Sequence, residues 1–368
     1  SDLILLDADW QTWRRFKVEA WPTLVLIDAQ GRERDRLVGL GGELDRALHG
    51  LCDGLSAPLE DDIRGGAEMN AEPRLPLRFP TGLAATADRL YVSDTGHHRV
   101  LECTHGGRIL RQFGLGTADM VNGSASEATF NRPRGLALGR DVLYVADTGN
   151  HAIRRIGTDG QVTTLAGGEQ GHADGPATQA RFDAPMGVAV DAQGQVYVAD
   201  TFNDRIRVIG TDGSVRTLAG GDRPGFADGV GAAARFDTPV ALAFDAQGAL
   251  LVADLFNNAV RRVGADGTVS TVVAAGGVIN GPLSLATTHD GVLYVGDLDG
   301  RIVQVTPQGH QIALVGNGRL PRLARPSGLA MDADGSVLAA DAAGYRLHRL
   351  RPLPVGELPA PALVGPAA

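Results

Sequence analysis

Residues 184–200 read APMGVAVDAQGQVYVAD, and close copies of this phrase recur along the whole chain. Each copy has a proline, two further residues, a small apolar run, a turn and a second apolar run that ends in aspartate. The other copies are FPTGLAATADRLYVSD at 79–94, RPRGLALGRDVLYVAD at 132–147, TPVALAFDAQGALLVAD at 238–254, GPLSLATTHDGVLYVGD at 281–297 and RPSGLAMDADGSVLAAD at 325–341. The closing aspartates are spaced 53, 53, 54, 43 and 44 residues apart: Asp94, Asp147, Asp200, Asp254, Asp297 and Asp341.

Each copy contains four runs with the composition of β-strands, joined by turn sequences such as GTDG. Four short antiparallel strands at a period of this length predict one blade of a β-propeller. Six copies therefore predict a six-bladed, mainly β ring over residues 74–354. The sixth copy offers only three strands, the last at 347–350, so we expect residues 74–79 to supply its outer strand and close the ring.

The phrases LYVADTGNHAIRRIGTDG at 143–160 and VYVADTFNDRIRVIGTDG at 196–213 resemble NHL repeats, in which the aspartate is followed three residues later by asparagine. Asn150, Asn203 and Asn257 hold that place, and His97 holds it in the first copy. The last two copies have Gly300 and Gly344 there. The resemblance implies an NHL-type propeller.

Residues 1–55 differ in kind from the repeats. They predict a strand, a helix at 10–18, a hairpin formed by TLVLID and ERDRLVG with its turn at 29–31, and a helix in GELDRALHGL. This order, with Pro22 entering the hairpin, resembles the C-terminal half of a thioredoxin-like domain. The whole chain thus resembles the thioredoxin-like/NHL-repeat fusion family. The resemblance implies that the dithiol motif of that family would precede Ser1, so we expect no dithiol exchange.

The remaining segments are a polar linker at 56–73 and a Pro/Ala-rich tail at 355–368. The first residue is Ser rather than Met, which leaves a processed chain and a fragment of a longer protein as alternatives. The net charge is −9 and no block of Lys and Arg is present, so we expect no nucleic-acid partner and no membrane partner. Two cysteines without a CxxC pair fit a cytoplasmic protein, with a periplasmic or secreted location as alternatives.

Three groups of residues are candidates for a site. The six aspartates suggest either a metal-binding ring or caps on turns that every blade needs, and we favour the caps. Phe130, Phe182 and Phe236 each precede a blade's proline by three residues, and we expect them to wedge between blades. Zinc needs three or four converging ligands. The histidines lie on different loops or point apart, so we expect no metal and no cofactor.

Segments 115–132, 169–181 and 222–235 belong to blade-to-blade connections that are about ten residues longer than the others, and long loops on a compact ring are often functional. We expect them to wall a site for a protein or small-molecule ligand. The alternative is that they only pack blades together. The residues predicted on this ligand or partner face are His97, His98, Asn150, His151, His172, Asn203 and Asn257.

The predicted function is a non-catalytic binding scaffold, in a context related to redox chemistry. The alternative is a lyase or hydrolase with its site at the mouth of the central channel. The innermost runs GLAA, GLAL, GVAV, ALAF, SLAT and GLAM carry no charge, which argues against catalytic side chains in the channel and against an enzyme.

Overall fold

The computed structural model describes residues 76–318 and 320–352, together with the backbone of two strands near the start of the chain. The chain divides into two compact units, Ser1–Pro76 and Leu77–Ala368. In the first unit β1 (Thr23–Ile27) pairs antiparallel with β2 (Glu33–Val38), as the sequence predicts. The two predicted helices, Pro22, Cys52, the linker 56–73 and the tail 355–368 lie outside the described residues.

The second unit is a ring of six antiparallel sheets, each a meander in which consecutive strands pair from the innermost to the outermost. Blade 1 has β3 (Pro80–Ala85), β4 (Leu90–Asp94), β5 (Arg99–Cys103) and β6 (Ile109–Phe113). Blade 2 has β7 (Pro133–Leu138), β8 (Val142–Asp147), β9 (Ala152–Gly157) and β10 (Val162–Gly167). Blade 3 has β12 (Gly187–Val190), β13 (Val196–Asp200), β14 (Arg205–Ile209) and β15 (Ser214–Ala219), with the additional strand β11 (Gly175–Pro176).

Blade 4 has β17 (Pro239–Phe244), β18 (Leu250–Asp254), β19 (Ala259–Val263) and β20 (Thr268–Val273), with the additional strand β16 (Gly229–Val230). Blade 5 has β21 (Pro282–Thr287), β22 (Leu293–Asp297), β23 (Ile302–Val305) and β24 (Gln311–Val315). Blade 6 has β25 (Pro326–Met331), β26 (Val337–Asp341) and β27 (Arg346–Leu350). The described helices are single 3-10 turns, and none of them is long and apolar enough to cross a membrane.

The core lies between blades, because each sheet buries both of its faces against its neighbours. Val198 of blade 3 is fully buried and packs with Ala146 and Ile153 of blade 2. On the opposite face of blade 3, Ile206 packs with Val252 of blade 4. Burial on both sides explains why the second strands are almost continuously apolar up to the closing aspartate instead of alternating with polar residues.

The blade-to-blade connections, called links here, have 19 residues before blades 2, 3 and 4, but 8 before blade 5 and 10 before blade 6. Each long link adds an extra pairing to the outermost strand of the blade that follows. Gly123 bridges to Val162, Gly175 pairs with Val215, and Gly229 pairs with Val269. The long links therefore extend the outer edges of blades 2, 3 and 4. This arrangement was not predicted from the sequence.

Ring closure differs from the predicted pairing of residues 74–79 with 347–350. Blade 6 shows three strands among the described residues, and residues 76–79 form no strand, while 74 and 75 lie outside the description. Blade 6 instead packs directly on blade 1, where Leu338 and Leu83 share one apolar cluster. The Phe79 ring meets the Tyr345 ring edge-on at 4.9 Å between centroids. Side-chain packing at this seam replaces the expected strand pairing.

The prediction that the innermost strands carry no charge is wrong. Five of the six innermost strands begin at the blade proline, two residues earlier than the apolar run, so β7 includes Arg134. Its Nη1 lies 3.5 Å from Sδ of Met186, the residue before β12 of blade 3. Arg325 lies just before β25, and its pKa is lowered to about 9 by burial and by the charge of Arg134. Two cationic groups thus lie near the innermost strands.

A first prediction concerns the phenylalanines of the long links. Phe182 is fully buried between blades 2 and 3, so Phe182→Ala should reduce the free energy of unfolding by about 3–5 kcal/mol. Phe226→Ala is the matched control, because this ring is 55% exposed and its removal should cost less than about 1 kcal/mol. Denaturant unfolding measures both variants. Equal losses of unfolding free energy in Phe182→Ala and Phe226→Ala would show that the Phe182 ring does not hold blades 2 and 3 together.

Candidate functional site

One face of the ring carries the links and the turns between second and third strands, and is called the link face. The opposite face, called the turn face, carries the other turns of each blade. The link face contains the closing aspartates. In blade 3, Asp200 Oδ1 accepts the N–H of Asp183 at 2.7 Å. Its Oδ2 accepts hydrogen bonds from Asn203 Nδ2 at 2.9 Å and from Arg207 Nη1 at 2.7 Å. This aspartate, asparagine and arginine set is called a clip.

The clip recurs with the same spacing in three blades: Asp147, Asn150 and Arg154; Asp200, Asn203 and Arg207; Asp254, Asn257 and Arg261. Blade 1 replaces the last two members with His97 and Arg99, which bond Asp94 Oδ2 at 2.9 and 2.7 Å. Blades 5 and 6 keep the aspartate and a basic side chain at a longer distance. Arg301 lies 3.5 Å from Asp297, and His348 lies 3.5 Å from Asp341. The six aspartates thus hold the turns and links of their own blades.

The clip arginines were not identified as site residues from the sequence, although Arg recurs seven residues after the aspartate in those three copies. Arg207 is fully buried and binds the preceding link through the carbonyls of Arg181 at 3.0 Å and Ala173 at 2.7 Å. It also bonds the Asp174 carboxylate and lies 5.1 Å from the centroid of the Phe182 ring. The other two clip arginines make the same contacts with their links. In each long link the residue before a glycine bonds the clip arginine, and the buried phenylalanine lies beside it: Asn122 and Phe130, Asp174 and Phe182, Asp228 and Phe236.

Burial dominates the electrostatics of the clip carboxyls. It raises the pKa of Asp147, Asp200 and Asp254 to about 6, while the adjacent arginine and the hydrogen-bond donors act in the lowering direction. The carboxyls remain mostly ionised at neutral pH and match the buried guanidinium charge. A buried pair of this kind is costly to break, because removal of one partner leaves the other charge uncompensated.

The asparagines predicted on the ligand face also bind the preceding link. Asn150, Asn203 and Asn257 each donate a second hydrogen bond from Nδ2 to a link carbonyl, at 2.9, 2.8 and 2.7 Å. Both protons of each amide are therefore engaged within the ring. The asparagines lie at the predicted edge of the link face, in positions that tie turn and link together.

The next residue of the same turn connects to the following blade. His98 and His151 have positive φ and accept, through Nδ1, the N–H of Arg132 at 3.1 Å and of Ala184 at 3.0 Å. In the next two blades Asp204 and Asn258 use a side-chain oxygen for the same contact. Each of these four turns thus supplies a side-chain acceptor for the N–H of the next link, but the acceptor is an imidazole, a carboxylate or an amide.

His172 is the predicted residue that lies apart from these contacts. It is exposed on the link before blade 3, with Nε2 3.2 Å from Thr217 Oγ1, and it lines a cleft described below. Within residues 76–318 and 320–352, no three His, Cys, Asp or Glu side chains are placed to hold a metal ion. Cys103 is buried and forms no disulfide with a described residue, and burial raises the pKa of its thiol to about 11.

Fold and clips define the class of protein: a six-bladed β-propeller built from copies of one blade sequence. The family model described as the NHL repeat matches residues 77–103 and 130–156, so the chain is an NHL-repeat β-propeller. A second model, "Strictosidine synthase-like, N-terminal", matches residues 265–305 in blades 4 and 5.

The chain has distant relatives over most of its length. It is 26% identical to NHL repeat-containing protein 2 of Bos taurus over 83% of this chain and 59% of that protein. It is 27% identical to Protein SUPPRESSOR OF QUENCHING 1, chloroplastic, of Arabidopsis thaliana over 93% of this chain and 37% of that protein. The chain thus spans less than two thirds of either relative. The second alignment covers too much of the chain to be confined to the propeller, so it extends into the N-terminal unit.

Solved structures share the fold at low identity. "Streptogramin B lyase structure" superposes with a TM-score of 0.54 at 15% identity, covering 75% of this chain and 94% of that chain. A gluconolactonase from Xanthomonas campestris gives 0.54 at 18% identity, covering 72% and 84%. These similarities show the fold alone.

A second prediction concerns the clip. Asp200→Ala should reduce the free energy of unfolding by about 3–5 kcal/mol, because the buried Arg207 loses its buried carboxylate and keeps only Asp174, which is 44% exposed. Asp212→Ala, in an exposed turn, should cost less than about 1 kcal/mol. Asp200→Ala combined with Arg207→Met should lose less stability than the two single variants together, as measured by denaturant unfolding. Additive losses would show that the two side chains are not coupled.

A third prediction concerns pH. Burial lowers the pKa of His98 to about 4, with smaller contributions from the charges of Arg132 and Arg78. The unfolded chain binds this proton at higher pH than the folded chain does, so His98 stabilises the fold above pH ~6.5, and this contribution is lost as the pH falls towards ~4. With allowance for partial exposure, the loss is about 1–2 kcal/mol.

His98→Asn is the matched variant, because Asn258 serves the same position with a group that does not titrate. The variant should resemble the wild type in stability at pH 7 and lose less stability than the wild type at pH 4.5. Chemical denaturation at the two pH values measures the difference. Parallel losses in both proteins would show that His98 is not responsible.

Proposed function

We propose that this protein is a non-catalytic binding scaffold whose link face receives a partner. The observation that carries the proposal is the distribution of exposed apolar side chains. Of the ten large hydrophobic residues exposed among the described residues, seven lie in the links. These seven are Leu115, Met120, Val121, Phe226, Val230, Val278 and Leu320. They are spread over the links before blades 2, 4, 5 and 6, and connecting segments of this kind are where binding residues are disproportionately found.

The turn face contrasts with this surface. Its turns repeat sequences such as DAQG and GTDG, in which an aspartate accepts hydrogen bonds from its own turn, as Asp212 does from Ser214. Such turns present short polar groups and little apolar area. The difference between the two faces supports a partner on the link face.

The chemistry of the link face also supports a scaffold. The asparagines and most of the histidines that the sequence marks as ligand candidates donate or accept hydrogen bonds within the ring. The clip carboxylates are fully buried and paired. Side chains engaged in this way maintain a rigid surface, which lowers the conformational cost of binding.

In this proposal the N-terminal unit is the C-terminal half of a thioredoxin-like domain, and the partner is met in a redox-related context. The β1–β2 hairpin supports this assignment, because a hairpin follows the proline in the resemblance stated above. The alignment with the Arabidopsis protein supports it as well, since that alignment extends into the same unit.

The second candidate is a propeller enzyme, a lyase or hydrolase with its site at the channel mouth. The observation that favours it is the proximity of Arg134 and Arg325 near the innermost strands, since cationic groups of this kind stabilise anionic transition states. Catalysis also requires a nucleophile or general base beside them, and the clips engage the nearest repeated carboxylates.

A fourth prediction tests the scaffold. Full-length wild type is immobilised beside a link-face variant, Leu115→Asp with Phe226→Asp, and a turn-face control with equal added charge, Gln193→Asp with Gln247→Asp. A specific partner should be retained from cell extract by the wild type and the control. Its apparent affinity for the link-face variant should fall about tenfold or more, because charges replace exposed apolar contacts. Measured binding of the purified partner decides the outcome, and equal affinity for all three proteins would contradict the proposal.

A further inference from the structure

A cleft of about 400 Å³ opens on the link face between the links that enter blades 3 and 4. Its lining includes three arginines, Arg205, Arg223 and Arg235, together with His172, Thr217 and Asp222. The cleft is separate from the exposed apolar side chains on which the scaffold proposal rests. Its composition is strongly cationic although the chain as a whole carries a charge of −9.

Arg205 at the base of the cleft is not needed by the clip of its own blade. Asp200 is bonded by Arg207 and Asn203, and Arg205 does not bond it. In blade 1, by contrast, the arginine at the same position, Arg99, bonds Asp94 directly. Blade 3 therefore carries a cation that ring assembly does not require.

The burial of Arg205 is unusual for a cation with so few contacts. Its side chain is 9% exposed, and among the described residues its guanidinium donates one hydrogen bond, from Nη2 to Asp222 Oδ1. Its Nε is buried without a hydrogen-bond partner. A guanidinium has five N–H donors, and a buried donor without an acceptor is costly. A ligand with two acceptor oxygens would satisfy donors that the chain leaves open.

Within residues 76–318 and 320–352, Asp222 is the one acid paired with this guanidinium, and its side chain is 98% exposed. An ion pair with so exposed a carboxylate is weak, because water and salt compete for both groups. The contact nevertheless shows that a carboxylate fits at the base of the cleft, because the carboxylate of Asp222 is already paired with Arg205. A carboxylate from outside could replace it without rearrangement of the buried part of the site.

The walls add hydrogen-bonding groups and further charge. His172 and Thr217 bond each other across one wall, and burial followed by the charges of Arg205 and Arg207 lowers the pKa of His172. His172 therefore contributes a neutral hydrogen-bonding group. On the other wall the Arg235 guanidinium donates to the backbone carbonyl of Arg223 at 3.3 Å, and both residues line the cleft.

We propose that this cleft binds a ligand through a carboxylate group that displaces Asp222 from Arg205. A carboxylate fits better than a phosphate, because one buried guanidinium whose partner is already the carboxylate of Asp222 suits a single negative charge, and planar bidentate pairing with Arg needs only two oxygens. The carboxylate could belong to a small organic acid or to a glutamate of a peptide, and both share the chemistry that the cleft recognises.

The test is isothermal titration calorimetry on the full-length protein at low ionic strength. The probes are glutarate, its neutral diamide, a capped tripeptide with a central glutamate, and inorganic phosphate. We expect glutarate or the peptide to bind with a dissociation constant on the order of 10 µM to 1 mM, and the diamide not to bind. The stronger of the two carboxylate probes identifies the source of the group.

Three variants test the residues. Arg205→Gln should weaken binding about tenfold or more, whereas Arg155→Gln, the same change at an exposed arginine of blade 2, should leave it unchanged. Asp222→Asn should strengthen binding about threefold or more, because the internal competitor loses its charge. Asp222 is exposed, so this variant remains informative even if Arg205→Gln does not fold.

Several outcomes would overturn the assignment: no binding by either carboxylate probe, tighter binding of phosphate than of both, or unchanged affinity in Asp222→Asn. Failure here is separable from failure of the scaffold proposal. Phe226→Asp alters the apolar link surface and should leave glutarate binding as in the wild type, while Asp222→Asn should leave partner binding on that surface intact.

Discussion

The buried carboxylate at the end of each second strand is the interaction on which the ring depends. One oxygen accepts an N–H from the segment entering the blade, which fixes where the innermost strand starts. In blades 2, 3 and 4 the other oxygen pairs with a fully buried arginine, which in turn bonds the carbonyls of the incoming link. Because an unmatched charge in that position would be severely destabilising, the link must follow the path that brings its carbonyls to the arginine.

The repeat explains how much of this could be predicted from sequence. A proline and an aspartate recurring in step predicted the six blades, because each marks an end of one hairpin. The NHL-type asparagines were predicted on the ligand face, and their hydrogen bonds to the link carbonyls were not predicted. The two-residue pairings of β11 and β16 could not be found in the same way, since a run as short as Gly175–Pro176 has no periodicity of its own and is set by contact with β15. Arg134 was missed because the strand boundary was placed at the apolar run rather than at the proline.

The site could be predicted only in part for a related reason. Chain topology determines which residues lie on the link face, and the sequence placed His172 and the long links there. Topology does not determine which group each side chain contacts. His98 and His151 are residue types that often bind ligands, yet each accepts a backbone N–H of the next link. Asp204 and Asn258 accept the equivalent N–H in the following blades. An arginine at this position is expected from the sequence to be exposed. Arg205 is buried instead, because the link before blade 4 lies against it.

The clips also make the ring uneven. Blades 2, 3 and 4 have complete clips and long links, whereas blades 5 and 6 have Gly300 and Gly344 in place of the asparagine. A side chain at Gly300 would collide with the carbonyl of Leu323, 1.9 Å from its Cβ, and one at Gly344 would collide with the carboxylate of Asp341 at 2.3 Å. Backbone at Gly300 and the blade's own carboxylate at Gly344 therefore leave no room for the asparagine side chain. Blade 5 and blade 6 are entered by short links that need no such tie, whereas each complete clip holds a long link, and the cleft lies between two of those held links.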